Sequence, residues 1–368
     1  MPRPSWTTAA PLVGGLLLAA SWGRDLGPVM LAPAAAVLIG SVLAAVHHAE
    51  VVAHRVGEPL GSLVLAVAVT VIEVALIVTL MVTAEKDVSG LARDTVFAAV
   101  MISINGIVGL SLLVSALKHH LAVFNPEGTG AALATVVALA TLCLVLPSFT
   151  TSESGPEYSG AQLAFAAVAS LSLYAMFVFT QTIRHRDFFL PVDRDGTTLA
   201  PGDHVDADGD GHADPPDNRT TARSAGLLVV SLVAVVGLAK IVSPAIEDGV
   251  ASVGFPHAVV GVVIALLVLL PESIAAVRAA ARERVQVSLN LALGSAMASI
   301  GLTIPTLAVA SIWLEGPLAL GLDNVQIVLL FLTVIVGILT VVPGRAKPLQ
   351  GCVHLVLLAS FIFLTIAP

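Results

Sequence analysis

Apolar runs of membrane-spanning length recur from one end of this 368-residue chain to the other, and no other feature constrains its fold as tightly. A helix rises about 1.5 Å per residue, so roughly 20 mostly apolar residues cross about 30 Å of hydrocarbon. Eleven stretches meet that standard: 8–22, 28–49, 59–84, 95–117, 129–148, 160–183, 224–243, 255–277, 286–312, 322–342 and 349–367. The first is the shortest. Gly, Pro and the charges gather in the short connections, as helix termini require. In lipid every backbone polar group must be paired within the protein, and a helix does this inside one segment. The chain therefore reads as an all-α integral membrane protein with about eleven transmembrane helices.

Composition closes off the alternatives. Apolar residues make up 57% and charged residues 11%, against about 45–50% and about 25% in soluble domains. A cytosolic enzyme, a disordered chain and a disulfide-stapled secreted domain are excluded. Cys143 and Cys352 both lie in apolar runs, and no CxxC pair is present. The run from Ala9 to Ala20, after Arg3, has the look of a signal peptide. It is read as the first span because apolar segments continue throughout. No basic or basic-aromatic stretch suggests nucleic acid.

Lys and Arg concentrate on the cytoplasmic side of membrane proteins. With the N-terminus inside, only Arg24, Lys86, Arg93 and Lys240 of the 17 basic residues fall outside. The expected location is the inner (plasma) membrane, multi-pass, with the N-terminus in and the C-terminus out. Residues 184–223 form the one long polar segment and hold nine of the 25 acidic residues. This acidic loop, cytoplasmic by the same count, separates a leading helix (1–27) and a five-helix half (28–183) from a second five-helix half (224–368). Five is odd, so the second half enters the membrane upside-down relative to the first. Inverted repeats of this kind are the mark of secondary transporters.

The repeat is visible in residues. The third span contains an apolar run from Gly61 to Glu73, and the eighth one from Gly261 through Pro271 to Glu272. In each, one glutamate ends a long apolar run. The span that follows carries Ser103-Ile-Asn105-Gly-Ile-Val-Gly109 in one half and Ser288-Leu-Asn290-Leu-Ala-Leu-Gly294 in the other. Both read S-[IL]-N-x3-G, within repeats of about 57–117 and 254–312. Of the 25 carboxylates only Glu73 and Glu272 lie well inside apolar runs. An ionised carboxylate at membrane depth costs about 3 kcal/mol on insertion scales. Two such costs at matched positions mark a site rather than a structural accident.

Two carboxylates at a repeat interface suit a cation. Calcium takes six to eight oxygens, so Glu73 and Glu272 would neutralise it. Asn105 and Asn290 would add amide oxygens, and Ser103, Ser273, Ser288, Ser295 and Thr70 hydroxyls. Broken helix ends would add backbone carbonyls, with Pro271 freeing them before Glu272. Cysteine is absent here, so hard oxygen chemistry favours Ca²⁺, Mg²⁺, Mn²⁺ or Na⁺. When the cation leaves, a buried carboxylate pair takes up protons. Cation and proton then compete for the same oxygens. Gly106, Gly109, Gly294 and Gly301 read as close-packing positions. His47, His48, His54, His119 and His120 fall near helix ends and read as interfacial, while His257 and His354 have no assigned role. In the loop, Asp206, Asp208, Asp210, Asp214 and Asp217, with Gly211 at position 6, have the spacing of a calcium loop. Pro215, Pro216 and a short Asp at position 12 argue for a solvated acidic linker instead.

The stretches Gly57–Gly61 through Glu73, and Leu270-Pro-Glu272-Ser through Asn290-Leu-Ala-Leu-Gly294-Ser295 to Pro305, resemble the two alpha-repeats of bacterial calcium/proton antiporters of the cation/Ca²⁺ exchanger superfamily. The resemblance covers nearly the whole chain. It implies a leading helix plus two inverted five-helix repeats, with cation binding on Glu73 and Glu272 and the repeat asparagines at Asn105 and Asn290. Ile72 stands where the second repeat has Pro271. The expected function is export of Ca²⁺ from the cytoplasm in exchange for H⁺ by alternating access. Ca²⁺ is cargo, and no cofactor or nucleotide is implied. The alternatives are a Na⁺ or K⁺/H⁺ antiporter of the same fold and a passive cation channel. An intramembrane hydrolase is disfavoured, since neither HExxH nor GxSxG is present. The partners are these ions and the bilayer; the sequence does not specify an oligomer.

Overall fold

All eleven apolar runs are helical in the computed structural model, which describes residues 5–21, 28–56, 60–83, 89–192, 216–313 and 316–368. The helices are α1 (Trp6–Ser21), α2 (Pro28–Val56), α3 (Leu60–Thr83), α4 (Leu91–Met101), α5 (Val108–His119), α6 (Pro126–Ala140), α7 (Gly160–Phe179), α8 (Asn218–Ser252), α9 (Ala258–Ala281), α10 (Val285–Gly301), α11 (Thr303–Ala310), α12 (Asn324–Val341) and α13 (Pro348–Ile366). A π-helical segment, Ile102–Ile107, joins α4 to α5 into one span, and α10 and α11 form another. Among the described residues ten spans are long and apolar enough to cross a bilayer, and α1 is a shorter apolar helix of 16 residues. Helix starts follow from local chemistry. Asn125 accepts from the N–H of Glu127 ahead of Pro126 at the first helical position of α6. Ser159 with Gln162, and Asp323 with Gln326, close capping boxes on α7 and α12.

Two outcomes differ from the sequence reading. Helix α8 starts at Asn218 rather than 224, because the Asp217 side chain accepts from the Thr220 N–H and caps it. At 35 residues it is about 52 Å long, well beyond the hydrocarbon thickness. The helix breaks expected at the glutamates are also not found. Both α3 and α9 are continuous through Glu73 and Glu272, and Pro271 is accommodated inside α9. Proline removes one N–H, leaving the Leu267 carbonyl without its α-helical donor, but one lost bond does not end a 24-residue helix. Among the described residues the irregular backbone lies instead in other spans: π-helical segments at Ile102–Ile107, Thr141–Val145 and Thr180–Arg184, and a break at Leu302 between α10 and α11.

The helices pack as two compact units, one of residues 1–95 with 215–270 and the other of 96–214 with 271–368. In the first, α1, α2, α3, α8 and the first part of α9 share a core. Its members fall on helical stripes: Leu38, Val42 and Val46; Ile72, Leu76 and Leu80; Val235, Leu238 and Val242; Val260, Ile264 and Val268. At one end of this unit Arg55 donates to Asn218 Oδ1 at 2.6 Å and Arg223 donates to Thr8 Oγ1 at 3.3 Å. The start of α1, the end of α2 and the start of α8 therefore lie together.

In the second unit α5 crosses α13 where Gly109 meets Gly351. A Cβ on Gly351 would stand 2.7 Å from the Gly109 carbonyl oxygen, so the two backbones touch only because both residues lack one. At one end, β1 (Ala122–Val123) pairs antiparallel with β2 (Arg345–Ala346). Lys118 donates to the Ala281 carbonyl at 2.8 Å at the same end, and the Asn125 N–H donates to Gln286 Oε1 at 2.7 Å. At the other end, Glu157 bridges Ala319 and Ser148 Oγ donates to the Leu322 carbonyl at 2.7 Å.

Candidate functional site

The two glutamates occupy equivalent places in their helices. Glu73 lies just past the middle of α3, which is 24 residues long, and is 2% exposed. It shares the buried face of that helix with Ile72, Leu76 and Ile77, and Thr70, also buried, is its neighbour one turn earlier. Glu272 lies just past the middle of α9, also 24 residues, and is 6% exposed. Ser273 beside it is half-buried. Glu73 belongs to the first compact unit and Glu272 to the second. Among the described residues the other buried acid is Asp94, in the first turn of α4, which is paired with the adjacent Arg93 at 2.8 Å. Depth inside an apolar helix, rather than burial alone, distinguishes the two glutamates.

The repeat asparagines match in sequence but not in partners. Asn105 is fully buried in the π-helical segment of the second unit. Its amide nitrogen donates to Thr333 Oγ1 at 2.8 Å and points at Met101 Sδ at 3.7 Å. Its oxygen lies 3.0 Å from Nδ1 of His354, whose Nε2 is 3.2 Å from Thr340 Oγ1. Asn290, half-buried on α10, accepts from Gln286 Nε2 at 2.8 Å and donates to the Phe189 carbonyl at 2.7 Å. Gln286 in turn reaches Thr129 Oγ1 at 3.3 Å. Asn290 thus fastens the end of the α7 span, where the acidic loop begins, to the second repeat. In both asparagines the amide oxygen already has a protein donor.

The remaining expected residues divide in the same way. Ser288 Oγ donates to Ser111 Oγ at 2.6 Å, joining α10 to α5. Ser295 is half-buried on α10. Ser103, two residues before Asn105, is fully buried, and its hydroxyl has no hydrogen-bond partner. Asp217, expected in a calcium loop, is the cap of α8. The Thr220 bonds hold its carboxyl below the ordinary carboxylate range. Asp206, Asp208, Asp210 and Asp214 lie outside the described residues. Among the described residues no three His, Cys, Asp or Glu side chains gather into a metal centre. A cation here would rely on few carboxylates, supplemented by neutral oxygens.

Sequence reasoning passed over Gln286, Ser111, Thr333, Thr340 and His354. Gln286 was findable, being four residues before Asn290 on one helix face. His354 was visible only as a lone polar residue in an apolar run.

A multi-pass helical protein with matched buried glutamates in two repeats has the architecture of a membrane cation exchanger. The chain belongs to the sodium/calcium exchanger protein family, which it matches over residues 26–183 and 223–367. It is 43% identical to y4hA of Sinorhizobium fredii, a protein named as an ionic transporter, over 99% of this chain and 97% of that one. It is 31% identical to the sodium-potassium/proton antiporter ChaA of Escherichia coli, over 93% and 91% of the two chains. Its fold is that of the solved Ca²⁺/H⁺ antiporter YfkE, with a TM-score of 0.66 at 14% identity, covering 98% and 97% of the chains.

Proposed function

We propose that this protein is a secondary antiporter that exports Ca²⁺ from the cytoplasm in exchange for H⁺. One observation carries the reading: the glutamates of the two repeats are buried at equivalent positions of equally long helices. Two carboxylates are neutralised by one Ca²⁺ or by two protons. A site that must be neutral to change its side of access therefore exchanges one for the other. Glu73 and Glu272 are the shared ligands, with Thr70, Ser103 and Ser273 as neutral oxygens. The proton gradient is the energy source, and Ca²⁺ is cargo.

Orientation has support within each unit. Arg55 and Arg223 lie at the end of the first unit where α1 begins, and Lys118 and Arg345 share one end of the second. These ends are taken as cytoplasmic, with the central acidic loop on that side. The 31% identity to a sodium-potassium/proton antiporter over 93% of the chain favours a second reading, in which Na⁺ or K⁺ is the cargo. A carboxylate pair accepts one monovalent cation plus one proton as readily in charge.

Reconstitution in liposomes with an imposed pH gradient tests both. Addition of Ca²⁺ to one side should drive proton flux the other way, and Na⁺ or K⁺ doing so instead would select the second reading. Cation flux without any coupled proton movement would overturn antiport.

A further inference from the structure

Among the described residues His48 and His354 are buried histidines that the exchange scheme leaves unused, and of the two His354 reaches a repeat asparagine. His354 sits on α13, is 1% exposed, and spans two bonds. Nδ1 is 3.0 Å from Asn105 Oδ1, and Nε2 is 3.2 Å from Thr340 Oγ1. The hydrogen-bond partners fix the tautomer. Asn105 uses its amide hydrogens on Thr333 Oγ1 and toward Met101 Sδ, so its oxygen is an acceptor. The proton must therefore be on His354 Nδ1, and Nε2 accepts from the Thr340 hydroxyl. A neutral imidazole satisfies every bond in this network. The cavity beside it, about 20 Å³, is lined mainly by apolar side chains such as Ile104, Val108, Leu133 and Leu293, and no acid is among its lining residues. Nothing there would stabilise a charged ring.

The other end of the network is the first repeat. Asn105 lies in the π-helical segment Ile102–Ile107, an irregular backbone form that recurs at functional sites. Ser103 is in the same segment, and its buried hydroxyl has no hydrogen-bond partner. A buried orphan hydroxyl costs about 1–3 kcal/mol, a cost offset when a lone pair of its oxygen coordinates a cation. The close approach of Gly109 to Gly351 brings α13 near enough for the bond to form, since a Cβ on Gly109 would stand 2.8 Å from the His354 Cβ.

We infer that His354 is a positioning residue of the cation site: as a neutral Nδ1–H imidazole it clamps Asn105, and through Asn105 it holds the π-helical segment that offers the Ser103 hydroxyl to the transported cation. This rests on the antiport reading for its consequence, but its geometry can be tested apart from it.

The test compares His354→Asn, His354→Gln and His354→Leu in liposomes, with Ca²⁺ and Na⁺ each as the cation. Asn places its amide nitrogen where Nδ1 stands and keeps the Asn105 bond, whereas Gln reaches toward Thr340 and Leu makes neither. The cation KM should stay within about threefold of wild type for His354→Asn and rise about tenfold for the other two, the effect of one lost buried hydrogen bond. Maximal rates should change less than KM. Nitrogen-15 NMR of histidine-labelled wild type should show one ring in the Nδ1–H form, lost in Asn105→Leu. An Nε2–H ring at this position would overturn the placement. An unchanged KM in His354→Leu, or a His354→Asn variant as impaired as His354→Leu, would overturn the positioning role. If wild type moves neither cation, antiport fails, and the NMR signature alone decides whether His354 clamps Asn105.

Discussion

Glu73 and Glu272 stood out from the sequence because a carboxylate in an apolar run carries its energetic penalty wherever the helix packs. Hydrogen-bond partners carry no such mark. Asn105 and His354 are 249 residues apart, and nothing local signals that they meet. For the same reason the S-[IL]-N-x3-G pattern was legible as a repeat, whereas the different uses of its two asparagines were not. At this scale the decisive variants are Glu73→Gln and Glu272→Gln. The neutral isostere is cheaper than the ion in lipid, so both proteins should insert and behave as wild type in size-exclusion profiles. Each should lose at least about 100-fold of cation-driven proton flux, the equivalent of about 2.7 kcal/mol of cation binding. Near-normal flux from either would remove that glutamate from the site.

The helices themselves were read well because length and hydropathy suffice to place a span. Their ends and irregularities were read less well. Pro271 suggested a break, yet neighbouring turns hold α9 together. The π-helical segment has no proline to announce it and was invisible in the sequence. Two predictions belong here. Gly351→Val should push α13 off α5, since even a Cβ there would stand 2.7 Å from the Gly109 oxygen. A loss of about 1–3 kcal/mol is expected, the usual scale of overpacking, readable as a lowered thermal midpoint in detergent. Removal of Pro201–Asp214 should leave maximal flux intact, because the Asp217 cap that starts α8 is retained. Extending the deletion through Asp217 should additionally fray the first turn, seen as faster amide exchange from Arg219 to Thr221. Loss of all flux in the shorter deletion would place the acidic loop in the transport mechanism.

For the whole molecule, the proposed sharing of one site by protons and cation makes a prediction about pH. Bound protons must leave before the cation enters, so apparent affinity should weaken on acidification by about one decade per pH unit for each proton displaced. Equilibrium Ca²⁺ binding to purified protein between about pH 5.5 and 8.5, judged against the ordinary carboxylate and histidine ranges, measures the slope. Glu73→Gln should reduce that slope if residual binding is measurable, and a flat profile in the wild type would exclude the glutamates as the shared site. The two-unit packing was the part of the architecture least legible in the sequence. Hydropathy divides the chain at its acidic loop, but the compact units are each assembled from both sides of it. Which apolar faces meet is decided by side-chain fit between distant helices, and periodicity alone does not encode it.

That interleaving has a consequence for how the protein is made. Helices α1, α2 and α3 leave the ribosome with residues 84 to 217 still to be synthesised before α8, the helix that packs against all three, begins. Until then their core stripes face lipid or the insertion machinery rather than their final partner. A nascent chain stalled inside the acidic loop should therefore hold its first three helices in an easily extracted, protease-sensitive form. Two fragments cut at that loop should mature only when produced together.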